Sequence, residues 1–401
     1  MMTGVSFVVP VRNGAPWIRD TIAAIAAQAD GRPLEIIVVD DRSVDGSSEL
    51  LKRLQCSADR HSLGGGGQPR VDLRIIRGEG RGAAAAINAG LREARFPVIC
   101  QVDQDVIVHL GWMQRLVEDL DNPTVGAVQG YYVSDRAASL CARTMGLDLE
   151  QRYAAIQGDE TDHVCTGNAA YRADALRQVG FFDETLGYGY DNDISYRLRA
   201  AGFRLRVCRA ARSTHRWRDG LAGYLIQQYG FGYGRIDLVA KHPRRWGGDA
   251  VSPTGMMFHP LVMLAAALSL GAAMLLAQVG RDWQPVAAIA LALVLGLACE
   301  RLLAGARAAK RFGDRTAFVF PVLHLMRDAA WVAAIVTWSA RWIARHPGRP
   351  HYSMSERQAT VWTAAQLQGS VRETPARNRA DVGVGFLRIL DPQNDRGHLR
   401  E

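Results

Sequence analysis

The chain has 401 residues, a formal net charge of +8, 48% apolar and 22% charged residues, ordinary for a folded protein and too apolar for a disordered one. Its positive charge is spread over many arginines and forms no single basic tract, which argues against nucleic acid and for an anionic small substrate or an anionic membrane face. The six cysteines lie far apart with no C-x-x-C pair, so reduced thiols are expected and not a disulfide or zinc framework.

The N-terminus "MMTGVSFVVPVRNG" carries no basic leader and only a short apolar run, so no signal peptide is expected and the first part of the chain should stay in the cytoplasm. Residues 5–9 and 35–39 are β-branched runs that read as strands. Between them Ile18, Ile22 and Ile25 recur on one helical face. Strand, helix and strand in so short a span predict a βαβ unit and a parallel sheet. A helix follows over 47–55, then "CSADRHSLGGGGQPR" reads as a flexible insertion. "VDLRIIR" is a third strand, "GAAAAINAGLREA" a helix and "PVICQVD" a fourth strand. The pattern predicts a doubly wound, Rossmann-like α/β domain that binds a nucleotide.

Beyond residue 255 the chain changes character. Residues 260–279 carry no charge and are long enough for a bilayer core of about 30 Å. Residues 285–299 are shorter, with Trp283 and Glu300–Arg301 suited to the two interfaces. Residues 317–338 are apolar but hold Arg327 and Asp328 at their centre. We therefore expect a catalytic domain over 1–255, membrane helices over 256–345 (near 260–279, 283–305 and 317–340) and a polar, flexible tail over 346–401. Positive charge at 301–315 predicts that the first two helices leave the cytoplasm and return to it. A polar pair inside the third segment predicts one that lies in or re-enters the inner interface, leaving the tail cytoplasmic.

Chemistry concentrates first in "QVDQDV", where Asp103 and Asp105 should point to one face of a strand and repel. A divalent cation, Mn²⁺ or Mg²⁺, shared with a diphosphate would offset that repulsion. A solvated turn with two surface acids is the plain alternative.

Taken in order, "VVPVRNGAPWIRDTI", "EIIVVDDRSVDGS", "GEGRGAAAAINAGL", "VDQDV", "CTGNAAYRADALRQVGFFDETLGYGYDNDISYRL" and "STHRWR" closely resemble the family 2 glycosyltransferases over residues 5–218. The resemblance implies the GT-A fold, a nucleotide-diphosphate sugar donor, a divalent metal and inversion at the anomeric carbon. It places Pro10, Arg12 and Asn13 with Asp40 and Asp41 around the base, although "DDRSVDGSS" also reads as a capped helix start. Arg81 falls near the diphosphate and Asn88 matches the family's asparagine. Asp103 would meet ribose and metal, Asp105 and His215 the metal, and Gly167 and Asn168 the donor sugar. A tight turn accounts equally for Gly167, and a structural role for a lone histidine.

The family's Glu-Asp-x-Asp is Tyr190-Asp191-Asn192-Asp193 here, so the resemblance assigns the catalytic base to Asp191, with Asp193 as a helix N-cap. The Q-x-x-R-W of processive members is replaced by "HPRRW" at 242–246, which predicts single additions. A lipid-linked or membrane-proximal glycan acceptor at the inner membrane follows as an expectation. Two rival readings are a sugar nucleotidyltransferase, which lacks its glycine-rich loop here, and an inactive membrane scaffold, for which Tyr190 is the hint.

Overall fold

The computed structural model describes residues 4–62 and 71–344. The four-glycine stretch and the expected tail lie outside the described residues. The expected parallel unit is present: β1 (Val5–Val11), α1 (Ile18–Ala26), β2 (Leu34–Asp40), α2 (Ser47–Ser62), β3 (Val71–Arg77), α3 (Ala83–Glu93) and β4 (Val98–Val102). Strands β1 and β2 are almost wholly buried, as continuous β-branched runs in a parallel sheet must be. Ile18, Ile22 and Ile25 are fully buried on the inner face of α1. Helix α2 runs further than expected, to Ser62, because "CSADRHS" contains neither glycine nor proline to stop it.

A short β5 (Val106–Val108), α4 (Trp112–Leu120), β6 (Val125–Val133) and α5 (Leu140–Ala155) follow. Then come β7 (Glu160–Thr161), β8 (Asn168–Arg172), α6 (Ala173–Val179), α7 (Tyr190–Ala200), β9 (Arg204–His215) and α8 (Leu221–Lys241). The sheet order is β3-β2-β1-β4-β8-β6-β9-β5 with β7 on β9; β8 is antiparallel to both β4 and β6, so the sheet is mixed. Strands β1, β2 and β4 are parallel and end on the same edge. In open α/β sheets that carboxyl edge is where ligands bind.

Three long helices close the described chain: α9 (Thr254–Gln278), α10 (Gln284–Phe312) and α11 (Phe320–Ala344). With the 3-10 turn before α11, all three are long and apolar enough to cross a membrane. Leu268, Leu270, Met274 and Leu275 on α9 and Ile289, Leu291 and Leu295 on α10 are exposed, as lipid-facing side chains would be. Helix α11 differs. It is unbroken and runs alongside α8: Tyr224 donates to the Leu323 carbonyl at 3.2 Å, Trp331 to Gln228 at 3.4 Å and Trp338 to Asp237 at 2.8 Å. Arg327 and Asp328 are both buried, 2.9 Å apart, and Arg327 also reaches His259 at 3.2 Å. The polar pair is thus enclosed by helices and not by lipid.

Candidate active site

The two acids of "QVDQDV" do not share a strand face. Strand β4 ends at Val102, and Asp103–Gln104–Asp105 form a turn closed by the Val106 amide donating to the Asp103 carbonyl at 3.1 Å. The turn, not the pleat, brings the carboxylates to one side. His215, at the end of β9, pairs in register with Val106, which sets its Nε2 3.5 Å from Asp105. One ligand atom from each of Asp103, Asp105 and His215 lies within 4.8 Å of the others.

The donor set suits a hard divalent cation. Burial, then the charges of Asp105 and Asp191, push the Asp103 carboxyl up to about 7, as expected of acids that lack a counter-charge. Burial lowers the His215 pKa and keeps the ring neutral, and its buried Nδ1 has no hydrogen-bond partner among the described residues. Trp217 packs against the ring at 4.1 Å between centroids and Tyr132 meets it edge-on. Gln101, which the sequence reading missed, donates to Asp103 at 2.9 Å and accepts from the Gly167 amide. Gly167 has φ +87°, and a Cβ there would stand 2.4 Å from the Asp103 carboxylate. Only glycine leaves that carboxylate in place.

Asp191 sits in the first turn of α7, beyond the left-handed Gly189. Its Oδ2 is 3.4 Å from His163 Nε2, while His163 Nδ1 is 3.7 Å from Asp249. Burial pushes the Asp191 carboxyl up, but the contact and charge of His163 outweigh it and hold the carboxyl below its usual range. His163, Cys165 and Asp191 also place one ligand atom each within 4.8 Å of one another. The segment 163–167 therefore joins the two clusters, with His163 against Asp191 and Gly167 against Asp103. Sequence reading missed His163 and Asp249, since neither stands in a local motif.

The remaining expected residues divide. Asp41 is buried, accepts from the Gly80 and Gly82 amides at 2.6 and 2.9 Å and lies 3.6 Å from Arg12. Gln104 accepts from the Arg12 amide at 2.9 Å, fixing the loop after Pro10 to the acidic turn. Asn13 has φ +53° and accepts from Val44 at 2.8 Å. Asp40 accepts from the Ser43 amide at 3.0 Å and from Ser48, so it serves the start of α2, as a capped loop would. Arg81 pairs with Glu79 and Glu184, each at 2.6 Å. Asn88 gives its whole amide to the Phe182 backbone and Glu184, tying α3 to the segment after α6. Asn168 accepts from Trp112 at 2.7 Å. Asp193 is not the N-cap, which is Gly189; it binds Arg197, Lys241 and His242 and locks α7 to the end of α8.

Comparison with known proteins agrees with this geometry. The chain is 29% identical over 349 residues to the pre-mycofactocin glycosyltransferase of Mycobacterium tuberculosis, covering 85% of this chain and 64% of that protein. It is 25% identical to the succinoglycan biosynthesis protein ExoA of Rhizobium meliloti, covering 73% of this chain and 91% of that protein. Among solved structures, the mannosyltransferase PcManGT from Pyrobaculum calidifontis, in complex with GDP-Man and Mn²⁺, superposes with a TM-score of 0.51 at 21% identity. That match covers 84% of this chain and 86% of that one, and shows the GT-A fold. The sequence profile of glycosyl transferase family 2 matches residues 6–180, and that of glycosyl transferase family group 2 matches residues 98–300. With more than half of its length matched by the second profile, the chain belongs to the family 2 glycosyltransferases.

Proposed function

We propose that this chain transfers a single sugar, with inversion, from a nucleotide-diphosphate sugar to a lipid-linked or membrane-proximal glycan acceptor. The observation that carries the reading is the pairing of the Asp103–Asp105–His215 cluster with an ionised Asp191 across one short segment. Asp191 takes the proton of the acceptor hydroxyl as its oxygen bonds to the anomeric carbon. The bond from that carbon to the diphosphate breaks, and the nucleoside diphosphate leaves with the electron pair. Mn²⁺ or Mg²⁺ held by Asp103, Asp105 and His215 would offset the charge gathering on the leaving diphosphate. Asp41 and the loop from Pro10 to Asn13 line the base side, Gly167 and Asn168 the sugar side. Arg81 reaches the diphosphate by exchanging its Glu184 partner.

Localisation follows from how the helices join the catalytic domain. Asp249, beside His163, lies just before α9, and the end of α10 returns to the domain through Arg136 on the Phe312 carbonyl at 2.7 Å and Arg143 on Asp314 at 2.6 Å. On this reading α9 and α10 form a hairpin that leaves and returns, and the basic stretch Arg307–Arg315 supports a cytoplasmic side of the inner membrane for the catalytic domain. Helix α11 lies along α8, whose Lys241 is tied to the catalytic domain by Asp183 and Asp193. This packing supports a reading in which α11 stays at the interface and the chain beyond it remains on the cytoplasmic side.

The test is detergent-purified full-length protein assayed for Mn²⁺-dependent hydrolysis of GDP-mannose, UDP-glucose and UDP-N-acetylglucosamine. Slow release of nucleoside diphosphate from one of them is expected. Metal-independent release would remove the cation from this reading, and tight binding of all donors with no turnover would favour a scaffold.

A further inference from the structure

Family membership accounts for a carboxylate at Asp191 but not for what lies behind it. His163 is buried, 5% exposed, and its two ring nitrogens face two different carboxylates: Nε2 toward Asp191 at 3.4 Å and Nδ1 toward Asp249 at 3.7 Å. Asp249 is fully buried at its side chain. It is held from three further sides: Asn192, next to the base, donates at 2.9 Å, the Val251 and Ser252 amides at 3.0 and 2.8 Å, and Arg235 of α8 at 3.4 Å. Neither His163 nitrogen has a hydrogen-bond partner among the described residues, so its contacts with the two acids are ion-pair approaches. A buried imidazole whose two nitrogens both face acids is a costly arrangement unless it is charged and the acids are its counter-ions.

We infer that His163 and Asp249 form a positioning pair for Asp191, in which an imidazolium anchored by Asp249 fixes the rotamer of the catalytic carboxylate and keeps it ionised. The inference rests on Asp191 being the base. Groups facing this pair are Asp191 on α7, Asp249 before α9, Arg235 on α8, Cys165 on the same segment as His163, and Asp103 at the acidic turn. Burial pulls the His163 pKa down, but Asp249 and then Asp191 outweigh it, with Arg235 opposing, and the net direction is upward. Asp103 and Cys165 are both pushed up, first by burial, with the charge of Asp191 adding in each case.

The arrangement has a consequence for turnover. Asp191 can receive the acceptor proton only if it is unprotonated and aimed at the hydroxyl, and a cation behind it secures both. The cation also makes Asp191 a weaker base, so the proton is easily surrendered to solvent after each cycle. Asp249 has a second use. It lies three residues beyond the "HPRRW" sequence and binds the Asn192 side chain, so the loop leading from α8 to α9 is coupled to the base. The membrane hairpin thereby begins at the residue that orients the catalytic carboxylate's partner.

The experiment uses full-length protein in detergent and the fastest-hydrolysed of GDP-mannose, UDP-glucose and UDP-N-acetylglucosamine. His163→Gln should lower kcat by roughly ten- to a hundred-fold, the range found when an orienting partner is removed from a reacting group. The loss should be larger at pH 6 than at pH 8, because Asp191 without its cation protonates more readily, and the donor KM should not change. Asp249→Asn leaves the imidazole in place and should shift the acidic limb in the same direction, giving a second reading if the glutamine variant folds poorly. A wild-type pH profile in either folded variant overturns the pairing, as does a loss equal at all pH values accompanied by a raised donor KM. A stoichiometric transition metal in the purified protein that disappears with His163→Gln also overturns it, since the ring would then be a ligand. Full turnover in Asp191→Asn is a different failure, of the base assignment itself.

Discussion

Asp191→Asn keeps the size of the side chain and its acceptance from the Asn192 amide at 2.9 Å, but removes the proton acceptor. Donor binding should persist while transfer and hydrolysis fall by about 10²- to 10⁴-fold; steady-state kinetics beside a nucleoside diphosphate titration separate the two. Asp105→Ala removes a metal ligand and leaves Asp103 and His215. It should weaken Mn²⁺ binding in the presence of nucleoside diphosphate far more than a surface change would, with His215→Ala weaker in effect. An unchanged Mn²⁺ midpoint would make the turn a pair of ordinary acids. Asp103 adds a pH dependence with a definite sign. Its carboxyl is pushed up to about 7, so below that pH a proton competes with the cation and above it the cation wins. Apparent Mn²⁺ affinity should therefore rise between pH 6 and 8, read by calorimetry at fixed ionic strength. Mn²⁺ affinity flat over that range would mean that Asp103 does not take part.

At the scale of elements, α8 carries "GFGYG" where no motif was recognisable, and its use is packing. A Cβ on Gly232 would stand 3.0 Å from the Trp331 backbone of α11, and one on Gly234 2.5 Å from Tyr188. The bare helix faces let α11 on one side and the segment before α7 on the other approach closely. Gly232→Leu should push α11 away and cost about 1–3 kcal/mol by overpacking. A lower Tm of the detergent-solubilised protein is the readout. Gly223→Ala is the control, because a Cβ there meets Arg218 only at ordinary contact distance, 3.6 Å. Helix propensity favours both replacements over glycine, so a Tm of Gly232→Leu equal to or above the control's would mean that this face does not dock α11. The acidic turn teaches a related point. An alternation of acids read as a pleat is a turn whose geometry depends on the adjacent Gln101 and on Gly167, far along the chain.

For the whole molecule, the division at residue 255 cuts through packed contacts. Leu147 of α5 lies in one cluster with Ala308, Ala317 and Phe320, and Met145 and Tyr224 lie in another with Leu323. Asp148 of α5 stands 3.5 Å from His324 of α11. A fragment ending at 255 would expose those faces, so it should melt well below the full chain and aggregate without detergent. A fragment as stable as the full chain would restore the simple boundary. Topology has its own test: a cysteine at Ser355 should resist an impermeant thiol reagent in intact cells, and labelling there would make α11 a third crossing.

How much of this the chain announces in its order of residues depends on the range of the forces involved. The parallel half, the inner face of α1 and the apolar helices are legible because each follows from local periodicity or an uncharged run, whereas the turn that holds the two acids reads in the sequence as a pleat. Family likeness added Asp191, His215 and Gly167 as candidates. What only the tertiary structure decided are contacts between residues far apart in the chain. Asn88 is absorbed by the Phe182 amide and carbonyl, which no spacing rule brings near it, whereas Asp40 takes the capping role that its own loop offers. Asp193 is drawn to the end of α8, and His163 meets Asp249 across 86 positions, 249 less 163. The packing of α11 against α8 is of the same kind. The composition of α11 permits a crossing, but the indole and phenol hydrogen bonds that align it with α8 exist only once both helices are folded and side by side.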